Sequence, residues 1–502
     1  MDPVLGAATS LFNKLNEQNI RYCHWKSNQH LNESLQGRTD FDLLVDRDQE
    51  ETFRSILYEH CCKSILSPPR RQYPAIEDFL GYDDETGNCF HLHVHYQLIL
   101  GEQFVKNYRI PLEKQFLDST MLSQGVKIVT PDLEIIILTI RALLKYRDRD
   151  VVKDIFSIRS PGLPGNILAE FKYLLEHTTS EKIAETLSAK ACHIISPEIV
   201  LDFLKIIIES PRQGYQLYQL RKKLRQELTP FERHTRREAR KQYFQALWCK
   251  TVPFVCSSLS KKKPASGGLS IAFVGADGAG KSTTINAIKK WLSWKMDTQV
   301  VYMGSGQETT SLSQFVKFIR RLIGRIQKAF SLILGEKNFI PTTIGQLYRL
   351  TENYYHLTLA QTRYQRYLAG RRRAAQGAIV IYDRYPLIGI HQVMSKDLPP
   401  MDGPRIAWSC QNQAMNGITK RLSLAEEQFF KQITPPEYLV LLHVTSEVSQ
   451  QRKPDHHREH VEIKIQAIEA MNRQGLKIID IDATRPLDKT LRKIKHELWN
   501  IL

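Results

Sequence analysis

The stretch that most limits what this chain can fold into is "GADGAGKSTT", residues 275 to 284, preceded by the apolar run "SIAFV". It fits G-x-x-x-x-G-K-[ST] at Gly275, Gly280, Lys281 and Ser282. Glycines let the backbone fold around phosphate oxygens, so the successive N–H groups of Gly275, Ala276, Asp277, Gly278, Ala279, Gly280, Lys281, Ser282 and Thr283, together with a helix N-terminus, point at one anion. Lys281 is expected to neutralise the β and γ phosphates, and Ser282 to hold Mg²⁺ through its hydroxyl. The competing reading is an ordinary Gly-rich strand-to-helix turn. It loses ground because an apolar strand leads in, the helical pattern "TINAIKKWLSW" follows, and a second strand ends in an acid farther on.

That second strand is "AIVIYDRYP", closing on Asp383 and Arg384. An acid at the C-terminal edge of a parallel strand beside the loop can ligate Mg²⁺ through water, and Arg384 can clamp an acceptor phosphate. The other strands expected in the last part of the chain are "SIAFVG" (270 to 275), "QVVYMG" (299 to 304), "EYLVLLHV" (437 to 444) and "LKIIDID" (476 to 482). Near-continuous apolar strands between helical segments fit a doubly wound α/β domain with a parallel sheet covered on both faces.

"FVGADGAGKST" followed by "IVIYDRYP" resembles the thymidylate kinase family of P-loop nucleotide kinases, over roughly residues 268 to 502. The resemblance implies γ-phosphoryl transfer from MgATP to a nucleotide, with dTMP or another nucleoside monophosphate as the default acceptor. Asp277 matches the family's loop acid near the reacting phosphates, and Asp383 with Arg384 matches its "DR[YF]" motif. The family's mobile basic lid corresponds to "SQQRKPDHHREH" (449 to 460), where Arg452, Lys453 and Arg458 are the candidates. Positive groups closing over a transferring phosphoryl group stabilise the charge spread over its oxygens. Three acceptor-side features depart from the family: Val274 stands where a Glu is usual, "YMGSGQETT" replaces an Arg-Glu-Pro turn, and "PLIGIHQVM" follows "DRY". The donor side is intact, while the acceptor is left open.

Between the second and third of these strands the chain inserts "SQFVKFIRRLIGRIQKAFSLIL". Phe315, Ile319, Leu322, Ile323, Ile326, Phe330 and Ile333 recur at helical spacing, with Lys317, Arg321, Arg325 and Lys328 on another face. Packing of the apolar face inward as an acceptor-pocket helix is the favoured reading, and a membrane-interface helix is the alternative. In "RYQRYLAGRRRAAQG", Arg363, Arg366 and Arg371 to Arg373 either bind acceptor phosphate or form an exposed basic face.

Residues 1–130 mix short strands and helices and read as an α+β domain, 131–260 as a helical extension ending in a basic helix, 261–268 ("KKKPASGG") as a linker, and 269–502 as the kinase-like domain. In "GRTDFDLLVD", alternation places Asp40 and Asp42 on one face of a strand, where they can share a divalent metal. The arrangement resembles the nucleotidyltransferase fold, and more closely a group reading "GDxDLLV" and later "DxHWRL". Here the later element is "LHVHYQL", which puts His93 where that group's third metal-binding carboxylate is expected. That is awkward for Mg²⁺, which prefers oxygen ligands. His91, His93 and His95 face one side of their strand, a spacing that suits Zn²⁺ or ordinary pairing with acids. The helix "ERHTRREARKQYFQALWCK" is expected to pack Phe244, Leu247 and Trp248 against a domain, with surface contact to nucleic acid or membrane as the lesser reading.

Lys plus Arg outnumber Asp plus Glu by 70 to 53, which suits phosphate-rich ligands without choosing one. The eight cysteines show no paired CxxC spacing, and the N-terminus lacks a basic start followed by an apolar core, so a reducing, cytoplasmic setting is expected. No run reaches about 18 uncharged apolar residues, the length of a membrane span. ATP and a small phosphorylated acceptor are the expected partners, nucleic acid is not expected, and peripheral membrane contact and oligomeric state stay open. Two other classes compete with the nucleotide kinase: a nucleotide-gated binding protein, and a kinase of a glycan or lipid precursor at a membrane surface.

Overall fold

The computed structural model describes residues 3–102, 105–146, 150–151, 163–209, 214–251, 261–304, 311–334, 339–386, 403–410, 415–455 and 457–502. The chain divides into two compact units, Met1–Ala265 and Ser266–Leu502.

The first unit carries ten strands: β1 (Tyr22–His24), β2 (Asp40–Val45), β3 (Lys63–Leu66), β4 (Ile76–Asp83), β5 (Asn88–His95), β6 (Leu98–Leu100), β7 (Tyr108–Ile110), β8 (Thr120–Ser123), β9 (Val126–Val129) and β10 (Lys263–Pro264). Eight of them form one mixed sheet in the order β10-β3-β4-β5-β2-β1-β9-β8, while β6 and β7 pair separately. Alternation along β2 and β5 decides what each face does. Phe41, Leu43 and Val45, with Phe90, Leu92 and Val94, enter a core under the helices Gly6–Glu17 and Glu50–Glu59. Asp40, Asp42, His91, His93 and His95 therefore take the opposite face, and a one-residue slip in register would exchange the two sets. On that opposite side, Cys23, Trp25 and Leu44 join the almost wholly buried helix Pro131–Lys145 and the helices beyond it in one core. The helical segment thus packs onto the sheet of its own unit.

Two expectations are corrected here. Within the expected linker, β10 adds an edge strand antiparallel to β3, pairing Lys263 with Leu66 and Pro264 with Ile65. An edge position tolerates Pro264, which has no N–H to donate. On the basic helix Arg236–Thr251, Phe244 and Trp248 are each 65% exposed, so this aromatic face does not pack as expected.

The second unit contains β11 (Leu269–Gly275), β12 (Thr298–Tyr302), β13 (Ile379–Asp383), β14 (Tyr438–His443) and β15 (Ile478–Asp482). All neighbours run parallel in the order β12-β13-β11-β14-β15. Every residue of β11 is buried, as a central strand with both faces covered requires. Ala272 and Val274 pack with residues of the helices Phe339–Ala375, Gly417–Lys431 and Arg458–Glu469. Toward the other face, the helix Lys281–Leu292 buries Thr284, Ile285, Ile288 and Leu292, and contacts the helix Leu487–Ile501. The chain leaves β11 toward β12 and β13 on one side and returns to β14 and β15 on the other. The carboxyl end of β11 is consequently the switch point of the sheet, the place where open α/β sheets bind ligands.

Candidate phosphate-binding site and a buried Asp–His face

The expected loop sits at that switch point. β11 ends at Gly275, and the helix Lys281–Leu292 starts directly after Gly280, whose φ of +82° turns the chain into it. Gly278 also has a positive φ, +80°, and a Cβ there would lie 2.7 Å from the Ser449 hydroxyl. Only glycine meets both demands without strain. The Lys281 ammonium donates to the carbonyls of Gly275 (2.7 Å) and Ala276 (2.9 Å), so it is held against the loop. Burial pushes this ammonium down to about 8, with Asp277 opposing the fall and Arg384 adding to it. Ser282 and Thr283 lie exposed on the first turn of the helix.

The acid edge comes from β13. Its register places Asp383 opposite Phe273 of β11 and Tyr302 of β12, within the same layer as the loop. Arg384 follows with φ +56°, a left-handed conformation that a non-glycine side chain adopts at a cost, and its guanidinium lies 6.0 Å from the Tyr302 ring centroid. Ser282 and Asp383 together supply the hydroxyl and carboxylate oxygens that suit a hard cation such as Mg²⁺.

The segment after β14, which includes the stretch expected to form a lid, meets the loop through three groups. The buried Ser449 hydroxyl donates to the Asp277 carbonyl at 2.5 Å, and Arg452 reaches the Gly278 carbonyl at 3.5 Å. Lys464, on the helix Arg458–Glu469, pairs with the Asp277 carboxylate. Lys453 follows Arg452 at the end of its helix. Arg458, the third lid candidate, is engaged by Glu462 (2.7 Å) and Glu447 (3.3 Å). Ser449 and Lys464 were invisible as site residues in the sequence, because neither belongs to the loop motif and only the fold carries them to it.

The basic stretch before β13 divides. Arg363 is buried and donates to the Met303 carbonyl at 2.7 Å, and Arg366 donates to the Tyr302 and Gly304 carbonyls at 3.0 and 3.2 Å. These two brace the segment that follows β12. Arg373 instead pairs with Asp297 at 2.9 Å, a structural tie away from the loop, and Arg371 and Arg372 are exposed. Near Arg363, His356 is held neutral: burial, aided by Arg405, Arg320 and Arg363, lowers it to about 4. Glu426 accepts from the backbone N–H groups of Arg405 and Ile406, and burial raises its carboxyl above the usual range. His356 and Glu426 were missed in the sequence, although Asn353, His356 and Arg363 recur at helical spacing. The acceptor-side segments "SGQETT" and most of "PLIGIHQVM" lie outside the described residues.

No family model matches the chain. The uncharacterized ATP-binding protein YghS of Escherichia coli (strain K12) is 28% identical over 227 residues, which span 44% of this chain and 89% of that protein. The uncharacterized ATP-binding protein YghR of the same strain is 27% identical over 231 residues, 44% of this chain and 84% of its own length. Under half of the chain is thus similar to proteins named for ATP binding. A structure of deoxyadenosine kinase from M. mycoides with bound dATP covers 45% of this chain and 98% of its own at 15% identity and a TM-score of 0.27, too loose a likeness to bear on the fold.

In the first unit, Asp40 and Asp42 share a face as alternation requires, but they take different partners. Asp40 lies 3.0 Å from His91 Nδ1, and Asp42 is 2.7 Å from the Lys26 ammonium. The cross-strand row Asp42, His93, Asp78 runs over β2, β5 and β4. Asp78, which the sequence reading missed, accepts from His93 Nδ1 (2.7 Å), His91 Nε2 (3.1 Å) and the Lys262 ammonium (2.6 Å). Burial alone would push Asp78 up, yet these three partners hold its carboxyl far below the usual carboxylate range. Among the described residues, the group of three brought to metal-ligand spacing is Asp42, His93 and His95, without Asp40.

Proposed function

We propose that the second unit transfers the γ-phosphoryl group of ATP to a small phosphorylated acceptor, with nucleoside monophosphates the first class to test and dTMP the default among them. The observation that carries this reading is the placement of Lys281: a partly buried ammonium held inside a glycine loop, at the carboxyl end of the central strand of a parallel sheet. The loop amides and Lys281 bind the β and γ phosphates. Ser282 and Asp383 would hold Mg²⁺, whose charge offsets that of the phosphates. Arg384 orients the acceptor, and its phosphate oxygen attacks the γ phosphorus while the bond to the β–γ bridging oxygen breaks and ADP leaves. Arg452 and Lys453 close over the transferring group and spread its charge. The polar group of His356, Arg363 and Glu426 is the acceptor side, neutral at His356 and cationic at Arg363.

Incubating the full chain with labelled ATP and a panel of nucleoside monophosphates and sugar phosphates tests this. A labelled product from at least one acceptor, absent with Lys281→Ala, is the expected result. Slow hydrolysis with every acceptor left unlabelled would replace the kinase reading with the nucleotide-gated one.

A second reading, action at a membrane surface, is favoured by the helix Ser311–Leu334. Val316 packs with Tyr355 and Leu359, but Phe315, Phe318, Leu322, Ile326, Phe330, Leu332 and Ile333 are exposed, so the favoured inward packing holds for only part of the apolar face. Arg321, Arg325 and Lys328 are exposed beside that stripe. An apolar stripe flanked by cations suits an anionic bilayer interface, where each basic residue contributes about 1 kcal/mol. No described helix is long and apolar enough to cross a membrane. Sedimentation with anionic liposomes should fall on raising salt and with Phe318→Asp, and equal binding by wild type and variant would remove this reading.

A further inference from the structure

We propose that Asp42, His93 and His95 form a binding site for one divalent first-row transition-metal ion of the zinc class, separate from any Mg²⁺ held at the phosphate loop. Their ligand atoms all lie within 4.8 Å of one another. A tetrahedral ion with bonds of about 2.0 to 2.2 Å needs its ligands about 3.3 to 3.6 Å apart, which small side-chain rotations supply. The set is two imidazoles and one carboxylate, and it leaves coordination positions open for water or an exogenous ligand.

A second observation points to the same ion. His95 is 1% exposed, and neither of its ring nitrogens has a hydrogen-bond partner among the described residues. A buried polar group without a partner costs free energy, and such groups in native proteins call for an explanation. Coordination of one nitrogen supplies the missing partner. The ring stands edge-on to Trp25, at 5.1 Å between centroids, and to His93, at 4.5 Å, so it is fixed by packing at the inner end of the site.

The surroundings also tune the ligands. Asp78 accepts the proton on His93 Nδ1, which leaves the lone pair on Nε2, as second-layer carboxylates do for metal-bound histidines. The Lys26 ammonium lies 2.7 Å from Oδ1 of Asp42, and a carboxylate has a second oxygen to offer an ion. Lys26 and the partly buried Lys106 oppose a bare cation by their charge, and for the same reason they favour an anion on its open positions. This ligand set departs from the all-carboxylate, hard-cation site that the nucleotidyltransferase resemblance implies, because Asp40 is taken by His91 and an imidazole stands where a third carboxylate would.

Titrating the full chain with Co²⁺, followed by visible absorption, tests the proposal. Expected are one Co²⁺ per chain with a visible band, displacement by Zn²⁺ but not by excess Mg²⁺, and a weakening of about tenfold or more in His93→Ala and Asp42→Asn. His93 is partly exposed, so its removal spares the core, and far-ultraviolet circular dichroism confirms that each variant is folded. Lys281→Ala and His460→Ala should keep the band, which separates this site from the phosphate loop and from the His457–His460 pair. A wild type with no band, or a band untouched in folded His93→Ala and Asp42→Asn, would overturn it. Loss of phosphoryl transfer in Lys281→Ala leaves this outcome unaffected, so the two proposals fail separately.

Discussion

The two units place charged groups on their sheets in opposite ways. At the loop proposed to hold phosphate the frame is backbone, shaped by glycine dihedrals and a helix N-terminus, with Lys281 at the start of that helix and Asp383 and Arg384 at the end of β13. On the Asp–His face the work is done by side chains in mid-strand, in a row across β2, β5 and β4 fixed only by register. A backbone site is written locally and survives changes around it. A cross-strand site exists only once three separated segments have paired.

The largest expected effect separates the two directly. Lys281→Ala should lower kcat for phosphoryl transfer by about a hundredfold to a thousandfold, the usual scale for removing one group that stabilises transition-state charge. Asp42→Asn should leave the same rate within about twofold, since the groups proposed to carry the reaction all belong to the second unit. Initial rates with labelled ATP check both. A large loss in Asp42→Asn would mean that the reaction depends on the first unit as well.

Next comes the loop backbone. Gly278→Ala places a Cβ at a φ of +80° and 2.7 Å from the Ser449 hydroxyl, so two penalties add. A left-handed alanine costs about 1 to 2 kcal/mol before any clash, which is about a tenfold weakening of nucleotide affinity or more. Calorimetric titration with ATP in magnesium buffer measures it. Gly267→Ala is the control, with a positive φ but nothing within 4 Å of its Cβ, and should leave ATP binding unchanged.

This contrast also explains what could be read in advance. The loop, the β13 acid and all five strands of the second unit could be placed from the sequence because each is a contiguous pattern: an apolar run, a glycine spacing, a terminal Asp-Arg. Ser449 and Lys464 could not, since their role depends on how the segment after β14 returns over the loop. The face shared by Asp40, Asp42 and the three histidines followed from alternation, but Asp78 did not, because a strand pairing brings it there and no motif marks it. The outward aromatic residues of the helices Ser311–Leu334 and Arg236–Thr251 misled because periodicity gives a face without saying what covers it.

A pH series tests the loop side separately. The ammonium form of Lys281 is the one proposed to hold phosphate, and burial lowers it to about 8. ATP affinity should therefore be level below neutrality and fall about tenfold between pH 7 and 9 as that proton is lost. Stability of the nucleotide-free protein should move the other way. Between about 8 and the ordinary lysine value of 10.5 the unfolded chain binds the extra proton, so raising pH through that window favours the folded state. Lys281→Met should flatten the ATP affinity profile.

The smallest effect is expected at Lys464, the loop's least local partner. Its ammonium pairs with Asp277, both side chains being about one-fifth exposed. A partly exposed pair contributes about 1 kcal/mol or less. In Lys464→Gln the Asp277 carboxylate keeps less compensation beside the β and γ phosphates, so the KM for ATP should rise about twofold to fivefold with kcat little changed, and the effect should shrink at high salt. Adding Asp277→Asn should restore the KM of Lys464→Gln if repulsion is the cause. A failure of that rescue, with kcat also lowered, would mean that Lys464 acts on the transferring group itself and belongs with Arg452 and Lys453.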